Sequence, residues 1–209
     1  MLSEVRFGSY LVYSPRGTSA ISVKSRRWRD AIKSGVDEAL RTVVHYLVRD
    51  LKSTGLSVVL GSDVTLVPAP GSSLLVEGAF WGPRWIASEL VRAGLGKQVF
   101  PCLSRTTAVP KSAFQPPGGR PTARHHYDTM RVEELALLGG ERITIVDDFV
   151  TKGSTLLGAA SRLGEACPTA QVSAFALIRT MGLQPEVERM VEPCVGTIRL
   201  VGQEASRDP

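Results

Sequence analysis

The chain has 209 residues, 43% apolar and 22% charged, with a formal net charge of +5 and three cysteines. Such a length and composition suit one soluble α/β domain with a full core. No apolar run approaches the roughly 18 residues that a membrane span needs. The basic balance favours an anionic partner, either a polyphosphate metabolite or nucleic acid. The charge is spread out, and its one short cluster is KSRRWR at Lys24 to Arg29. Cys102, Cys167 and Cys194 lie far apart with no CxxC or Cys/His metal spacing, and they read as reduced thiols. Glu4 and Arg6 stand where a secretory leader would need an apolar core, so a cytoplasmic location without membrane attachment is expected.

In chain order, VRFGSYLVYSP and SAISVK read as two short strands around a turn at Pro15 to Gly17. From Val36 to Leu51 the apolar residues Val36, Ala39, Leu40, Val43, Val44, Leu47, Val48 and Leu51 recur with helical spacing, which predicts an amphipathic helix. His45 falls on its polar face. LSVVLGSDVTLVPAPGSS reads as strand material closing at Val67, followed by a Pro/Gly/Ser loop. A helix over about 79–93 and a strand near KQVFPCL complete a βαβ unit and hence a parallel sheet. Ser104 to Met130 has four prolines, adjacent glycines and little periodicity, and reads as a long loop or lid. ITIVDD then resumes the alternation, with a helix from Ser154 to about Glu165 and strands AQVSAFALI and VGTIRLV. The tail QEASRDP is expected to fray.

Within ITIVDDFVTKGSTL, Asp147 and Asp148 close a strand. In open α/β sheets that edge is where ligands bind. Burying two adjacent carboxylates is costly, so they call for either a capping role or a ligand. Thr151, Ser154 and Thr155 offer hydroxyls, Gly153 allows close approach or positive φ, and the next helix presents free N–H groups at its positive end. That combination suits a phosphate. It is not a Walker loop, because its lysine precedes the glycine. A ribose 5-phosphate satisfies both halves: Asp147 and Asp148 on the 2′ and 3′ hydroxyls, and Thr151, Lys152, Gly153, Ser154 and Thr155 around the 5′-phosphate.

These residues resemble the ribose-phosphate loop of the type I phosphoribosyltransferases. That pattern is four hydrophobic residues, two acids, two hydrophobics and a Thr/Gly-rich turn into a helix. Phe149 departs from the smaller aliphatic residue usual there, and either narrows the site or lies beneath the base-binding face. Lys152 departs from a small residue, and either reaches the phosphate or points to solvent. VTLVPAPGSS is similar to the family's pyrophosphate loop, which implies that Ala69, Pro70, Gly71 and Ser72 offer backbone N–H groups. The Ser104 to Met130 segment falls where the family carries its flexible catalytic loop, with Arg105, Lys111, Arg120 and Arg124 as candidate cations. The order of the pieces looks most like the ComF-like branch, without the cysteine-rich zinc finger that often opens such chains. The close match covers about fourteen residues and the looser order most of Ser25 to Ile178.

The resemblance implies a type I phosphoribosyltransferase-like, Rossmann-like domain over 1–209. It would have a central parallel sheet flanked by helices, a small N-terminal hood within 1–60 and a flexible loop at 104–130. The implied substrate is phosphoribosyl pyrophosphate (PRPP) with Mg²⁺, with Asp147 and Asp148 as the only candidate metal contacts. The implied reaction displaces pyrophosphate at ribose C1 by a base or amine acceptor, in a homodimer. His125 and His126 do not match helical zinc spacing; phosphate contact, proton donation and simple partial exposure all stay open. The alternative reading is a PRPP-binding regulator or nucleic-acid-processing, competence-type protein on the same fold, with nucleic acid the less favoured partner.

Overall fold

The computed structural model describes residues 1–110, 119–133, 141–182 and 186–209. β1 (Glu4–Tyr13) is followed by α1 (Ala20–Lys33), α2 (Asp37–Asp50), β2 (Val64–Pro68), α3 (Gly82–Arg92) and β3 (Gln98–Val99). Next come β4 (Leu103–Arg105), α4 (Ala123–Asp128), β5 (Met130–Val132), β6 (Arg142–Val150), α5 (Ser154–Ala166), β7 (Gln171–Thr180), β8 (Val191–Val201) and β9 (Glu204–Asp208). Among the described residues, seven strands form one sheet in the order β3-β2-β6-β7-β1-β8-β9, and β4 and β5 form a separate antiparallel pair. The five strands from β3 to β1 are parallel, and β8 and β9 add antiparallel.

Both faces of the sheet are covered, so its central strands are near-continuous buried runs rather than alternating ones. Ile143, Ile145, Ala174 and Ala176 pack with Leu156, Leu157 and Leu163 of α5 on one face. Val64, Leu66, Val146 and Phe175 pack with Leu40, Val43 and Leu47 of α2 and Ile86 and Leu90 of α3 on the other. The small residues of α5 allow close approach: a Cβ on Gly158 would lie 2.8 Å from His126 Cβ and 2.9 Å from the Tyr127 amide of α4. Burial pushes the Cys102 thiol up to about 12, so it is an inert core group. No helix among the described residues is long and apolar enough to cross a membrane.

The expected α2, α3, β6, α5 and β7 are present, and β2-α3-β3 is the expected parallel unit. His45 is exposed on the polar face of α2. Four expectations need correction. SAISVK is not a strand but opens α1, where the Ser19 hydroxyl accepts from the Ser22 amide at 3.1 Å as an N-cap, worth about 1 kcal/mol. LSVV is a 3₁₀ turn at Leu56–Val58 rather than strand. The tail does not fray: Glu204–Asp208 is β9, paired along its length with β8. The 104–130 segment contains regular structure, since it begins within β4, carries α4 and ends at β5. β1, inside the segment expected as a hood, is a strand of the main sheet between β7 and β8.

Candidate functional site

The chain reverses its winding direction between β2 and β6. From β2 it crosses through α3 outward to β3, and from β6 it crosses through α5 the other way to β7. The crevice beyond the carboxyl ends of two such neighbours is where open α/β sheets bind ligands. β2 ends its pairing at Pro68 opposite Val146, and the Ala69 amide donates to the Val146 carbonyl at 2.8 Å. β6 runs on to Val150, paired only with β7. Asp147 and Asp148 therefore stand where one flank of their strand has been released.

Strict strand alternation would point the two acids to opposite faces. Instead the alternation slips by one residue across the pair. Ile143 and Ile145 belong to the α5-side core and Val146 to the other, yet Phe149 joins the second core and Val150 the first. The slip lets the two carboxyls interact. Burial, then the charge and hydrogen-bonding contact of Asp148, hold the Asp147 carboxyl well above the usual carboxylate range. Each acid also accepts from the next backbone amide: Asp147 Oδ1 from Asp148 at 2.9 Å and Asp148 Oδ1 from Phe149 at 2.8 Å. A pair that resists full ionisation is suited to accept from hydroxyls or to meet a cation. Two carboxylates with room for substrate oxygens also suit Mg²⁺, which takes one or two protein ligands rather than a cage. Among the described residues no larger acidic, His or Cys cluster exists.

The turn after β6 is built around Gly153. Its φ is +95°, and a Cβ there would lie 2.7 Å from Ile198, so both conformation and space demand glycine. The turn is anchored from the C-terminal strand, where Arg207 donates to the Thr151 carbonyl at 2.9 Å and the Thr180 carbonyl at 3.0 Å. The first intrahelical bond of α5 runs from Leu157 to Gly153, and among the described residues the amides of Ser154, Thr155 and Leu156, at the positive end of this 13-residue helix, have no partner. No acidic residue sits in that first turn. Lys152 points outward, with a side chain 61% exposed, and pairs with Glu204 at 3.6 Å.

The loop after β2 offers less than expected. The Ala69 amide is already used, and Pro70 has no N–H. Among the described residues the amides of Gly71 and Ser72 are unpartnered, and nothing lies within 4 Å of the place a Gly71 Cβ would occupy. The loop is held by carbonyls instead: Ala69 accepts from Trp81 Nε1 at 2.8 Å, Gly71 from Arg105 Nε at 2.9 Å, and Ser72 from the Val109 amide at 2.8 Å.

Arg105 is not a loop cation. It is 7% exposed, and besides Gly71 it donates to Thr129 Oγ1 at 2.8 Å and to His126 Nδ1 at 2.7 Å. Burial draws it down to about 10, against the opposing charge of Asp147, so it stays cationic at neutral pH. His126 is 4% exposed, not a hinge residue. Since arginine only donates, Nδ1 is the acceptor and Nε2 carries the proton; it faces Thr155 Oγ1 at 3.5 Å. Burial first, then the charges of Arg105 and His125, hold His126 down to about 3. One buried chain of contacts thus joins the loop after β2 to the start of α5. Arg124 does not reach the acids. It pairs with Asp128 at 3.0 Å and lies near Met1 and Leu200, where β1 begins. Lys111 lies outside the described residues, and Arg120 is exposed.

The sequence reading missed the roof. Ser25 Oγ of α1 accepts from the Ser14 amide at 3.2 Å, and Arg26 donates to the carbonyls of Ser14 and Gly17 at 3.1 and 2.7 Å, beyond β1. At the other end of α1, Lys33 Nζ sits 4.9 Å over the Phe149 ring and within electrostatic reach of Asp147. The helix therefore spans the carboxyl ends of β1 and β6. Ile21, Trp28 and Ile32, at helical spacing, were the available signal. The same contacts dismantle the basic cluster, because Arg26 is tied to carbonyls and Arg29 to Asp30 at 2.8 Å. A cleft of about 660 Å³ outside α3, between Leu75 and Ser88, includes neither acid.

No protein-family model matches the sequence, and no curated protein matches it. Among solved structures, an adenine phosphoribosyltransferase is similar at a TM-score of 0.39 and 14% identity, over 69% of this chain and 71% of that one. The adenine phosphoribosyltransferase of Thermoanaerobacter pseudethanolicus is similar at 0.38 and 16%, over 69% and 82%. That of Leishmania tarentolae is similar at 0.38 and 16%, over 82% and 83%.

Proposed function

We propose that this chain binds Mg²⁺–PRPP and transfers its phosphoribosyl group to a nitrogenous acceptor, releasing pyrophosphate. The observation that carries the reading is the placement of the interacting pair Asp147 and Asp148 at one switch point, where β2 and β6 are each followed by backbone amides that have no partner among the described residues. The amides of Ser154 to Leu156 take the 5′-phosphate. The acids take the ribose hydroxyls, and Gly71 and Ser72 take the pyrophosphate. Bound Mg²⁺ would neutralise charge on the leaving group. The protein's share is positioning and preorganised donors, with little covalent chemistry of its own. Arg105 holds the Gly71 carbonyl and so fixes the direction of the adjoining amide. A homodimer and a cytoplasmic setting complete the proposal.

The test is calorimetric titration of Mg²⁺–PRPP into the folded protein, with ribose 5-phosphate and pyrophosphate as partial ligands. Binding is expected for wild type and is expected to vanish in the Asp147→Asn, Asp148→Asn double variant. Each replacement keeps shape but loses charge and acceptor capacity. Equal affinity in the folded double variant would remove the acids from the site.

A further inference from the structure

We propose that the acceptor is a planar aromatic ring bearing a carboxylate, and that Lys33 reads its charge. The inference rests on the phosphoribosyl reading above and adds the chemical class of the second substrate. Phe149 follows the acids directly, and Tyr13 meets it edge-on at 6.2 Å between centroids. Phe80, 58% exposed, closes on Gly35 just beyond α1, where a Cβ would lie 3.0 Å from its ring. The place of a Gly82 Cβ lies 3.7 Å from the Phe80 ring and 3.9 Å from Asp148 Oδ2, so Phe80 stands close to the acids. Phe149, Tyr13 and Phe80 thus stand on the roofed side of the acids. Faces and edges of this kind receive a flat ring.

Charge narrows the class. The roof helix sets Arg29 5.0 Å over Tyr13 and Lys33 4.9 Å over Phe149. Arg29 already has Asp30, but among the described residues Lys33 has no ion pair. An exposed cation–π contact is weaker than a charge-assisted hydrogen bond, so a ligand carboxylate takes Lys33 from the ring. A neutral ring over the same place would desolvate Lys33 without compensating it, and an anionic ring without Lys33 would face two acids alone. Specificity then follows from the penalty on the wrong ligand as much as from attraction to the right one.

The experiment uses two pairs of rings that differ only by the charged group. These are pyridine-3-carboxylate against its amide, and uracil-6-carboxylate against uracil. Binding to the full chain is measured by calorimetry in the presence of Mg²⁺, ribose 5-phosphate and pyrophosphate, and pyrophosphate release is measured with PRPP. At least one carboxylate is expected to bind about tenfold or more tightly than its neutral partner, the factor that ~1.4 kcal/mol supplies. Lys33→Gln is expected to erase that preference and leave PRPP affinity within about twofold, and Lys33→Arg to restore it. PRPP binding with neutral rings preferred, or with no ring bound, overturns the proposal. So does a Lys33→Gln variant that weakens PRPP as much as the ring, because Lys33 would then belong to the phosphate side. Failure of wild type to bind PRPP at all is a separate result that overturns the phosphoribosyl reading and this inference with it.

Discussion

The buried contact between His126 and Arg105 has a pH dependence with a definite sign. Burial and the neighbouring guanidinium hold the native imidazole down to about 3, whereas in the unfolded chain it titrates near its ordinary 6.5. The folded value is depressed, so the neutral histidine's contribution is complete above pH 6.5. It drains away as pH falls, because the unfolded chain takes up a proton that the native protein refuses. The slope approaches 1.36 kcal/mol per pH unit, and between pH 7 and pH 5 the loss integrates to about 2 kcal/mol. For a chain of this size that is about 4–8 °C of melting temperature. His126→Asn does not titrate and keeps a carbonyl able to accept from Arg105. Thermal unfolding of both proteins across pH 7 to 5 isolates the effect, since Asp147 and the surface carboxylates contribute equally to each. Wild type should lose about 4–8 °C more than the variant over that window. Parallel curves would show that the native histidine is free to protonate, and that the Arg105 contact does not hold in solution.

Asp147→Asn should raise the melting temperature at pH 7–8 and leave it nearly unchanged near pH 4. A carboxyl held above its ordinary value costs stability only once the unfolded chain ionises, and each kcal/mol relieved is worth about 2–4 °C. A lower melting temperature at pH 7 would contradict the burial of that charge. Gly153→Ala should cost about 2–5 kcal/mol in urea unfolding, combining a left-handed backbone with a Cβ pressed on Ile198. Adding Ile198→Val should recover the packing part and not the backbone part; full recovery would show that φ is not constrained. Arg105→Gln should raise the His126 titration seen by NMR without bringing it to 6.5, because burial is the larger cause and remains. No movement of that titration would place the guanidinium away from the ring.

The acid motif was legible because it lies on a central parallel strand, where sequence shows a hydrophobic run, then acids, then glycine before an apolar helix. Each sign there has a local cause, and β6, the turn at Gly153 and α5 follow from them. α1 was misread because its buried face is Ser22, Ser25 and Ile32, two of them polar and satisfied by local hydrogen bonds. β9 was misread because it is an edge strand of polar residues ordered by pairing with β8. Arg105 and Arg124 looked alike in a Pro- and Gly-rich segment. Which one is buried under the loop after β2 and which one pairs with Asp128 is decided by tertiary contacts between 21 and 34 residues away for the first and by a helical turn for the second. Short-range patterns carry the second kind of information and not the first.

The adjacent acids also show why a motif and its geometry are separate matters. Two consecutive strand residues should diverge, and a reading that gives both to one ribose needs them to converge. Convergence is obtained by the slipped alternation between Val146 and Phe149, in the stretch where β2 no longer pairs with β6. The released flank removes the hydrogen-bonding constraint that would enforce regular pleating, and Phe149 takes its place under the α1 roof instead of facing α5. The aromatic that departs from the resembled pattern is therefore part of the local rearrangement that brings the acids together. It also carries Lys33 over its ring beside them, so the deviation and the proposed acceptor class have one structural origin.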